Sequence, residues 1–275
     1  AAAPDWEKRT QGQPFFGFIS FLVTHESGVF PSLGSMPNSA THFLMQVMRW
    51  FRLDDPVPSV VHTQDISVPP YYPDTETVRT DMARHYNNIA YMDAEVGFIL
   101  DQLEAAGLAD STIVIWTTDH GDGLPRAKRE LFDSGIKVPM IIRWPEAFRP
   151  EGVKPGAVDE RLISFVDLGP TILSLAGVPV PANMQGRDFA APDAAPNRYI
   201  YASRDRIDEL MDRQRAVRDT RYKYIRSWYP EVAGGADLEF RDNIEMVREM
   251  RAMYDADQLT TIQQQWYQSP GEERL

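Results

Sequence analysis

The stretch at residues 113–128 constrains the fold of this chain more than any other part of it. An apolar and β-branched run leads directly into Asp119 and His120, and a loop containing glycine and proline then carries Lys128, nine residues after the aspartate. A second apolar run follows at residues 138–143. In open α/β sheets, ligands bind where the strands end. The pattern therefore predicts an α/β protein with a metal and anion site built around this loop.

Composition narrows the possible partners. The chain has 275 residues, of which 43% are hydrophobic, so it is long enough to bury a sizeable core. The formal net charge of -12, without clustered Lys and Arg, argues against nucleic acid or an anionic membrane as a partner. The sequence contains no cysteine, which excludes disulfides, thiolate metal sites and a cysteine nucleophile within it. It also lacks an apolar stretch long enough to predict a membrane span.

Hydrophobic spacing and turn residues predict the secondary structure. We expect a buried strand at 14–24, a long irregular segment at 27–74 that either carries function or borders an active site, and a C-terminal antiparallel sheet. The predicted helices are at 40–53, 76–106, 164–176 and 239–254, and the further predicted strands are at 112–118, 138–143, 199–203, 214–218 and 222–226. We predict two domains, an α/β core at 1–190 and a small sheet with a helix at 195–275.

Four side chains are candidates for chemistry. Asp119 with His120 is a donor pair for a divalent cation, or else a turn cap beside a surface histidine. Lys128 lies in a locally basic loop that suits an anion, although a solvated loop would look the same. His25 follows the first predicted strand, where it could protonate a leaving oxygen or serve only in packing.

Several longer motifs occur in order along nearly the whole chain. They are residues 14–16 leading to Thr24 and His25, 86–97, 117–121 with Lys128, 135–143, 165–172 and 216–225. Together they resemble the sulfatases of the alkaline phosphatase superfamily. The resemblance implies an alkaline-phosphatase-like mixed sheet flanked by helices, incomplete at its N-terminus, with a small antiparallel C-terminal subdomain.

The resemblance also implies an activity, the metal-dependent hydrolysis of a sulfate ester or N-sulfate on a carbohydrate-like or aryl substrate. In such an enzyme Asp119 and His120 would hold Ca²⁺, while Lys128 and His25 would contact the sulfate group and the departing oxygen. Because a histidine ligand is somewhat soft for calcium, Mn²⁺ or another divalent ion is the alternative. Further expected substrate contacts are Arg126, Arg204 and Arg206. A periplasmic or secreted location is expected from the resemblance alone.

The chain departs from the family pattern at its start. Sulfatases carry an aspartate pair and a Cys/Ser-x-Pro-x-Arg motif before the Phe-Phe strand, and the Cys or Ser of that motif becomes the formylglycine nucleophile. Neither feature precedes residue 14, and residues 35–39 match the motif only as far as its proline. We therefore expect this chain to be the C-terminal part of a sulfatase, inactive without an N-terminal segment of the same protein. A phosphodiesterase or phosphonate monoester hydrolase of the same superfamily, and a non-catalytic anion- or metal-binding protein, remain open as alternatives.

Overall fold

The structure is a computed structural model that describes residues 6–10, 12–52 and 57–275. Its helices are α1 (Ala40–Arg52), α2 (Glu76–Ala105), α3 (Asp133–Ile136), α4 (Leu168–Leu175), α5 (Glu245–Asp255) and α6 (Thr261–Gln264). Its strands are β1 (Val114–Thr117), β2 (Met140–Arg143), β3 (Ile200–Ile207), β4 (Leu210–Arg218), β5 (Lys223–Ser227) and β6 (Glu273–Arg274). Most predicted elements are thus confirmed, with ends shifted by a few residues.

The chain folds into two compact units that each use separate stretches of sequence. The first contains the described residues up to Asp110, together with Thr118–Pro139 and Val232–Ser269. The second contains Ser111–Thr117, Met140–Glu231 and Pro270–Leu275. The domain boundary that we predicted between 190 and 195 falls inside the second unit.

The core of the first unit forms where α2 packs against α5. α2 begins at Thr75, whose hydroxyl oxygen accepts the N–H of Val78 at 3.2 Å and donates to the Glu249 carboxylate of α5 at 2.7 Å. N-terminal caps of this kind satisfy a backbone donor that the helix itself leaves unpaired. The buried apolar side chains of this core include Val29, Phe30, Val78, Met82, Ile244, Met246, Val247 and Met250. Leu124, in the loop between β1 and β2, belongs to the same core.

Polar side chains of α1 and α2 hold the segment that follows His25. Asn88 of α2 donates to the Gly28 carbonyl at 3.0 Å, and Arg49 of α1 donates to the same carbonyl and to the Asn88 side-chain oxygen at 2.9 Å. These bonds fix the 3-10 turn Glu26–Gly28. The position of this turn determines where His25 points.

The predicted buried strand at 14–24 is wrong. Residues 14–22 form no strand, and Phe16 and Phe18 are 71% and 83% exposed. A central strand needs hydrogen-bonding neighbours and a covering layer. Within residues 6–10, 12–52 and 57–275, this segment pairs with no strand, so its apolar pattern alone does not produce one.

The second unit contains two antiparallel sheets. β1 pairs with β2, with Val114 opposite Arg143. β3, β4, β5 and β6 form a four-stranded sheet in that order, with Ala216 of β4 opposite both Ala202 and Ile225. The C-terminal sheet is therefore confirmed, and the β3–β4 hairpin is longer than the sequence indicated.

None of the helices in the part of the chain that the structure describes is long and apolar enough to span a lipid bilayer.

Candidate anion and metal site

The loop between β1 and β2 is held closed by backbone contacts inside the first unit. The Gly121 N–H donates to the Gly135 carbonyl at 2.9 Å, and the Lys128 N–H donates to the Asp122 carbonyl at 3.0 Å. A Cβ atom at Gly121 would lie 1.7 Å from the Ser134 carbonyl oxygen. Glycine at this position is therefore required for the two backbone segments to approach each other.

His25 and Lys128 come into direct contact. The Lys128 Nζ lies 3.2 Å from His25 Nε2, although the two residues are 103 positions apart. Ser27 contacts the other ring nitrogen, Nδ1, with its hydroxyl at 2.9 Å and its backbone N–H at 3.3 Å. A lysine ammonium and a backbone N–H can only donate, so both ring nitrogens of His25 face a donor, and a neutral imidazole, which has one acceptor nitrogen, can accept from only one of them.

The surroundings of His25 favour the neutral imidazole. Burial lowers the pKa of His25, and the charge of Lys128 lowers it further. The negative charge of Glu26 acts in the opposite direction, while His120 and Arg129 add to the lowering. The ring is therefore uncharged at neutral pH before any anion binds.

A buried carboxylate lies directly behind this pair. Glu26 is 1% exposed, and its carboxylate accepts from Arg129 at 2.7 and 2.8 Å and lies 3.0 Å from the Lys128 Nζ. Burial tends to raise the pKa of Glu26, but the hydrogen bonds and charges of Arg129 and Lys128 outweigh it and hold the pKa below its usual value. Sequence reasoning did not single out Glu26 or Arg129, although each adjoins a candidate residue.

Asp119 and His120 are arranged as two acceptors on one side of the loop. His120 Nδ1 lies 2.7 Å from the Gly121 carbonyl oxygen, to which it can only donate, so in the neutral form of the ring Nε2 carries the lone pair. That Nε2 lies 3.7 Å from the Asp119 carboxylate, whose side chain is 87% exposed. A histidine that ligates a metal commonly donates its other N–H to a backbone carbonyl in this way.

The pair fits part of a metal-binding donor set. Ca²⁺ takes six to eight oxygen ligands, so one carboxylate and one imidazole cannot hold it alone. Across residues 6–10, 12–52 and 57–275, no group of three or more His, Cys, Asp or Glu side chains is placed to bind a metal ion. A complete site would therefore need further ligands.

The three arginines expected to contact substrate have other partners. The Arg126 guanidinium lies over the rings of Tyr71 and Phe132, with its central carbon 4.6 and 4.4 Å from the ring centres. In the second unit, Arg204 forms a buried ion pair with Asp212 at 2.7 Å, and Arg206 donates to two carbonyls of its own hairpin turn. None of these observations tests a contact with substrate, which stays a prediction for all three.

A second group of side chains supports the loop from α2 and from the segment before it. His85 of α2 is 3% exposed, and its Nε2 lies 3.3 Å from the Asp122 carboxylate. The buried Tyr72 hydroxyl donates to the Pro125 carbonyl. Sequence reasoning placed His85 on the long helix without a partner, because a contact over 37 positions has no local signal.

Comparisons with known proteins show which proteins this chain is similar to. The sequence model of the Sulfatase family matches residues 2–178, and that of "N-sulphoglucosamine sulphohydrolase, C-terminal" matches residues 126–272. A sulfatase described as ulvan-active, from Formosa agariphila, is 37% identical over 284 residues, covering 98% of this chain and 47% of the relative. Human N-sulphoglucosamine sulphohydrolase is 32% identical over 173 residues, covering 62% of this chain and 33% of the relative.

A more distant relative, an extracellular sulfatase SULF-1 homolog from Drosophila melanogaster, is 28% identical over 176 residues, covering 62% of this chain and 13% of the relative. A solved structure of a putative sulfatase from Bacteroides thetaiotaomicron aligns with a TM-score of 0.51 at 24% identity, over 68% of this chain and 44% of that one. The similarity confirms the predicted α/β fold. The chain spans less than half the length of each of these proteins.

The resemblance drawn from the motifs is confirmed by the match to the Sulfatase family model and by the Formosa relative, which aligns over nearly all of this sequence. The chain belongs to the sulfatase family.

Proposed function

We propose that this chain supplies the sulfate-binding and leaving-group side of a sulfatase active site, and that the complete protein hydrolyses a sulfate ester or N-sulfate. The contact between Lys128 and His25 carries the proposal, because it joins a fixed positive charge to a proton-transferring ring at 3.2 Å. Such a pair suits a reaction in which negative charge develops on a departing oxygen.

The roles of the two side chains follow from their charges. Lys128 would bind a sulfate oxygen and stabilise the departing oxygen as the S–O bond breaks, and His25 would pass it a proton. The pKa of His25 is lowered in the chain by burial and by Lys128. An anionic ester brought next to the ring raises that pKa, so His25 would take up its proton as the substrate binds.

Asp119 and His120 would supply two of the ligands of a divalent ion, Ca²⁺ or, as the alternative, Mn²⁺. When bound, the ion supplies positive charge that polarises the sulfate oxygens. The remaining ligands and a formylglycine nucleophile would come from an N-terminal segment of the same protein. Two observations support such a segment. This chain covers only 47% of the Formosa relative, and its Phe16 and Phe18 are exposed.

The substrate class proposed here is a sulfated carbohydrate. Its support is that one relative is named an ulvan-active sulfatase and another an N-sulphoglucosamine sulphohydrolase. The Drosophila relative is named an extracellular sulfatase, which supports a secreted or periplasmic location for this protein.

An assay with two forms of the protein tests the proposal. The 275-residue chain and the longer natural protein that contains it would each be given sulfated sugars, an aryl sulfate, a phosphodiester and a phosphonate monoester. We expect sulfate release from the longer protein and none from the chain alone. Turnover only of the phosphorus substrates, or sulfate release by the mass-verified chain alone, would contradict the proposal.

A single substitution tests the role of Lys128. In the longer protein, Lys128→Ala should lower kcat by about 10²- to 10³-fold, as the loss of one preorganised charge donor does elsewhere. Lys137→Ala, nine positions further along the chain, is the matched control and should keep wild-type kinetics. An unchanged rate for Lys128→Ala would remove this residue from the reaction.

A further inference from the structure

Glu26 lies at the centre of the charged groups behind the candidate site. Its carboxylate receives both nitrogens of the Arg129 fork, at 2.7 and 2.8 Å, and the Lys128 ammonium at 3.0 Å. Its side chain is 2% exposed, so it does not reach solvent or a bound substrate. It therefore differs from the exposed carboxylates of the chain, which ion-pair only weakly.

The arrangement of the two cations needs a buried anion. Lys128 and Arg129 are consecutive, their side chains are 19% and 11% exposed, and both approach the same point. Two like charges in this position repel each other strongly when water is largely excluded. A carboxylate between them removes that repulsion and gives each a fixed hydrogen-bond acceptor.

The backbone of the loop is adapted to this contact. Arg129 has a positive φ of 74°, which is an unfavourable conformation for a residue with a side chain. A Cβ at Gly123 would lie 2.8 Å from Glu26 Cα, so the loop packs directly on the 3-10 turn Glu26–Gly28. Strain of this kind persists only where the surrounding contacts stabilise it.

We propose that Glu26 is the positioning residue of the sulfate site, which holds the Lys128 ammonium against His25 Nε2 and withdraws Arg129 from the anion. The proposal deepens the function proposed above, and its catalytic consequence rests on that function. Arg129 is then a structural partner of Glu26 rather than a sulfate ligand, since its guanidinium already makes a two-point contact with the carboxylate.

The electrostatics of His25 provide a readout that does not depend on catalysis. The groups that act on its pKa, besides burial, are Lys128, Glu26, His120 and Arg129, and Glu26 is the one that raises it. Removal of the Glu26 charge should therefore lower the midpoint of the His25 titration. The chain has five histidines, so their ring signals can be followed individually by NMR.

The experiment compares histidine titrations of the wild-type chain, Glu26→Gln and a matched control. Glu130→Gln is that control, because Glu130 is a buried carboxylate of the same loop that instead accepts from the Trp266 indole at 3.2 Å. We expect a lower His25 midpoint in Glu26→Gln, an unchanged one in Glu130→Gln, and a higher one in Lys128→Met. A His25 titration in folded Glu26→Gln that overlays the wild type would overturn the proposal.

Glu26→Asp covers the case in which Glu26→Gln does not fold. It keeps the charge but shortens the reach, so the His25 midpoint should stay near that of the wild type while the ring signals report a changed Lys128 contact. Ring signals and a titration that are both identical to the wild type would overturn the positioning role.

Kinetics of the longer protein then separate the two proposals. Glu26→Gln should lower kcat by about 10- to 100-fold with a smaller change in KM, because a reacting group is displaced rather than removed. Glu26→Asp should recover part of that loss. If the wild-type longer protein has no sulfatase activity, the proposed function is contradicted, and the His25 titrations still test the role of Glu26. If the wild type is active and Glu26→Gln has the same kcat, only the positioning role of Glu26 is overturned.

Discussion

At the scale of single residues, Gly121 shows how close two backbone segments pass at the site. Replacement by alanine would force the Ser134 carbonyl away, because the new Cβ would lie 1.7 Å from its oxygen. We expect Gly121→Ala to reduce the free energy of unfolding by about 1–3 kcal/mol, as overpacking does in other cores. Urea denaturation followed by circular dichroism measures the change.

Gly97→Ala is the matched control for that substitution. Gly97 lies inside α2, and a Cβ added there would meet no atom within 4 Å beyond the backbone of its own helix. Alanine at this position should stabilise the chain by about 0.5–1 kcal/mol, because glycine weakens a helix interior. Equal effects of the two substitutions would show that Gly121 is not sterically required.

Asp81 gives the chain a specific dependence of stability on pH. It is fully buried between α2 and α5, where it pairs with Arg84 at 2.7 Å and accepts the Met246 N–H at 2.8 Å. Burial raises the pKa of Asp81 to about 6, and these partners offset only part of that effect. The folded chain therefore keeps a proton that the unfolded chain releases near pH 4.

The sign of the effect follows from proton linkage. Where the native state binds more protons than the unfolded state, the free energy of unfolding falls as the pH rises. The contribution of Asp81 to that free energy should therefore decrease between about pH 4 and pH 6 and stay constant above pH 6. Asp81→Asn should remove this part of the pH dependence in urea denaturation series. The exposed Asp93 of the same helix is the control, and Asp93→Asn should retain the wild-type slope. An unaltered slope in Asp81→Asn would contradict the assignment.

At the scale of secondary-structure elements, α2 could be predicted closely and the first strand could not. The helix was predicted at 76–106 and spans Glu76–Ala105, because apolar residues recur at helical spacing and Gly107, with a φ of 66°, ends it. A helix satisfies its own backbone hydrogen bonds. A strand at 14–24 needs a neighbour, and no local pattern shows whether one is available.

The β3–β4 hairpin is stabilised by a pair of buried charges. The side chains of Arg204 and Asp212 are 6% and 0% exposed and lie 2.7 Å apart. Asp212→Ala would leave the guanidinium buried without this partner, so we expect a loss of about 3–5 kcal/mol in the free energy of unfolding. Thermal and urea denaturation of the variant measure it.

The exposed pair in the same hairpin provides the comparison. Asp205 contacts Arg215 at 2.8 Å, but its side chain is 62% exposed. Asp205→Ala should change stability by less than about 0.5 kcal/mol, because water screens such pairs. A small effect of Asp212→Ala as well would mean that Arg204 is free to turn outward, as a substrate contact would require.

At the scale of the whole molecule, the exposed aromatic side chains of residues 14–22 indicate a surface that this chain does not cover by itself. The double substitution Phe16→Ser/Phe18→Ser should change the unfolding free energy of the chain by less than about 0.5 kcal/mol per site, because exposed side chains lose little on truncation. In the longer protein proposed above, the same change should cost about 1.5–3 kcal/mol for each ring that becomes buried.

Phe30→Ala provides a positive control, since Phe30 is 2% exposed and its loss should cost about 3–5 kcal/mol in either form. Equal, small effects of the double substitution in the chain and in the longer protein would show that no preceding segment packs on residues 14–22.

By itself the sequence determined the family, the helices and the position of the loop that carries Asp119, His120 and Lys128, since these depend on short motifs and local periodicity. Only the tertiary structure decided that Lys128 contacts His25 and that Glu26 and Arg129 lie behind them. The physical reason is distance along the chain. A contact over 103 positions depends on how the helices pack, and no local pattern records which side chains that packing brings together.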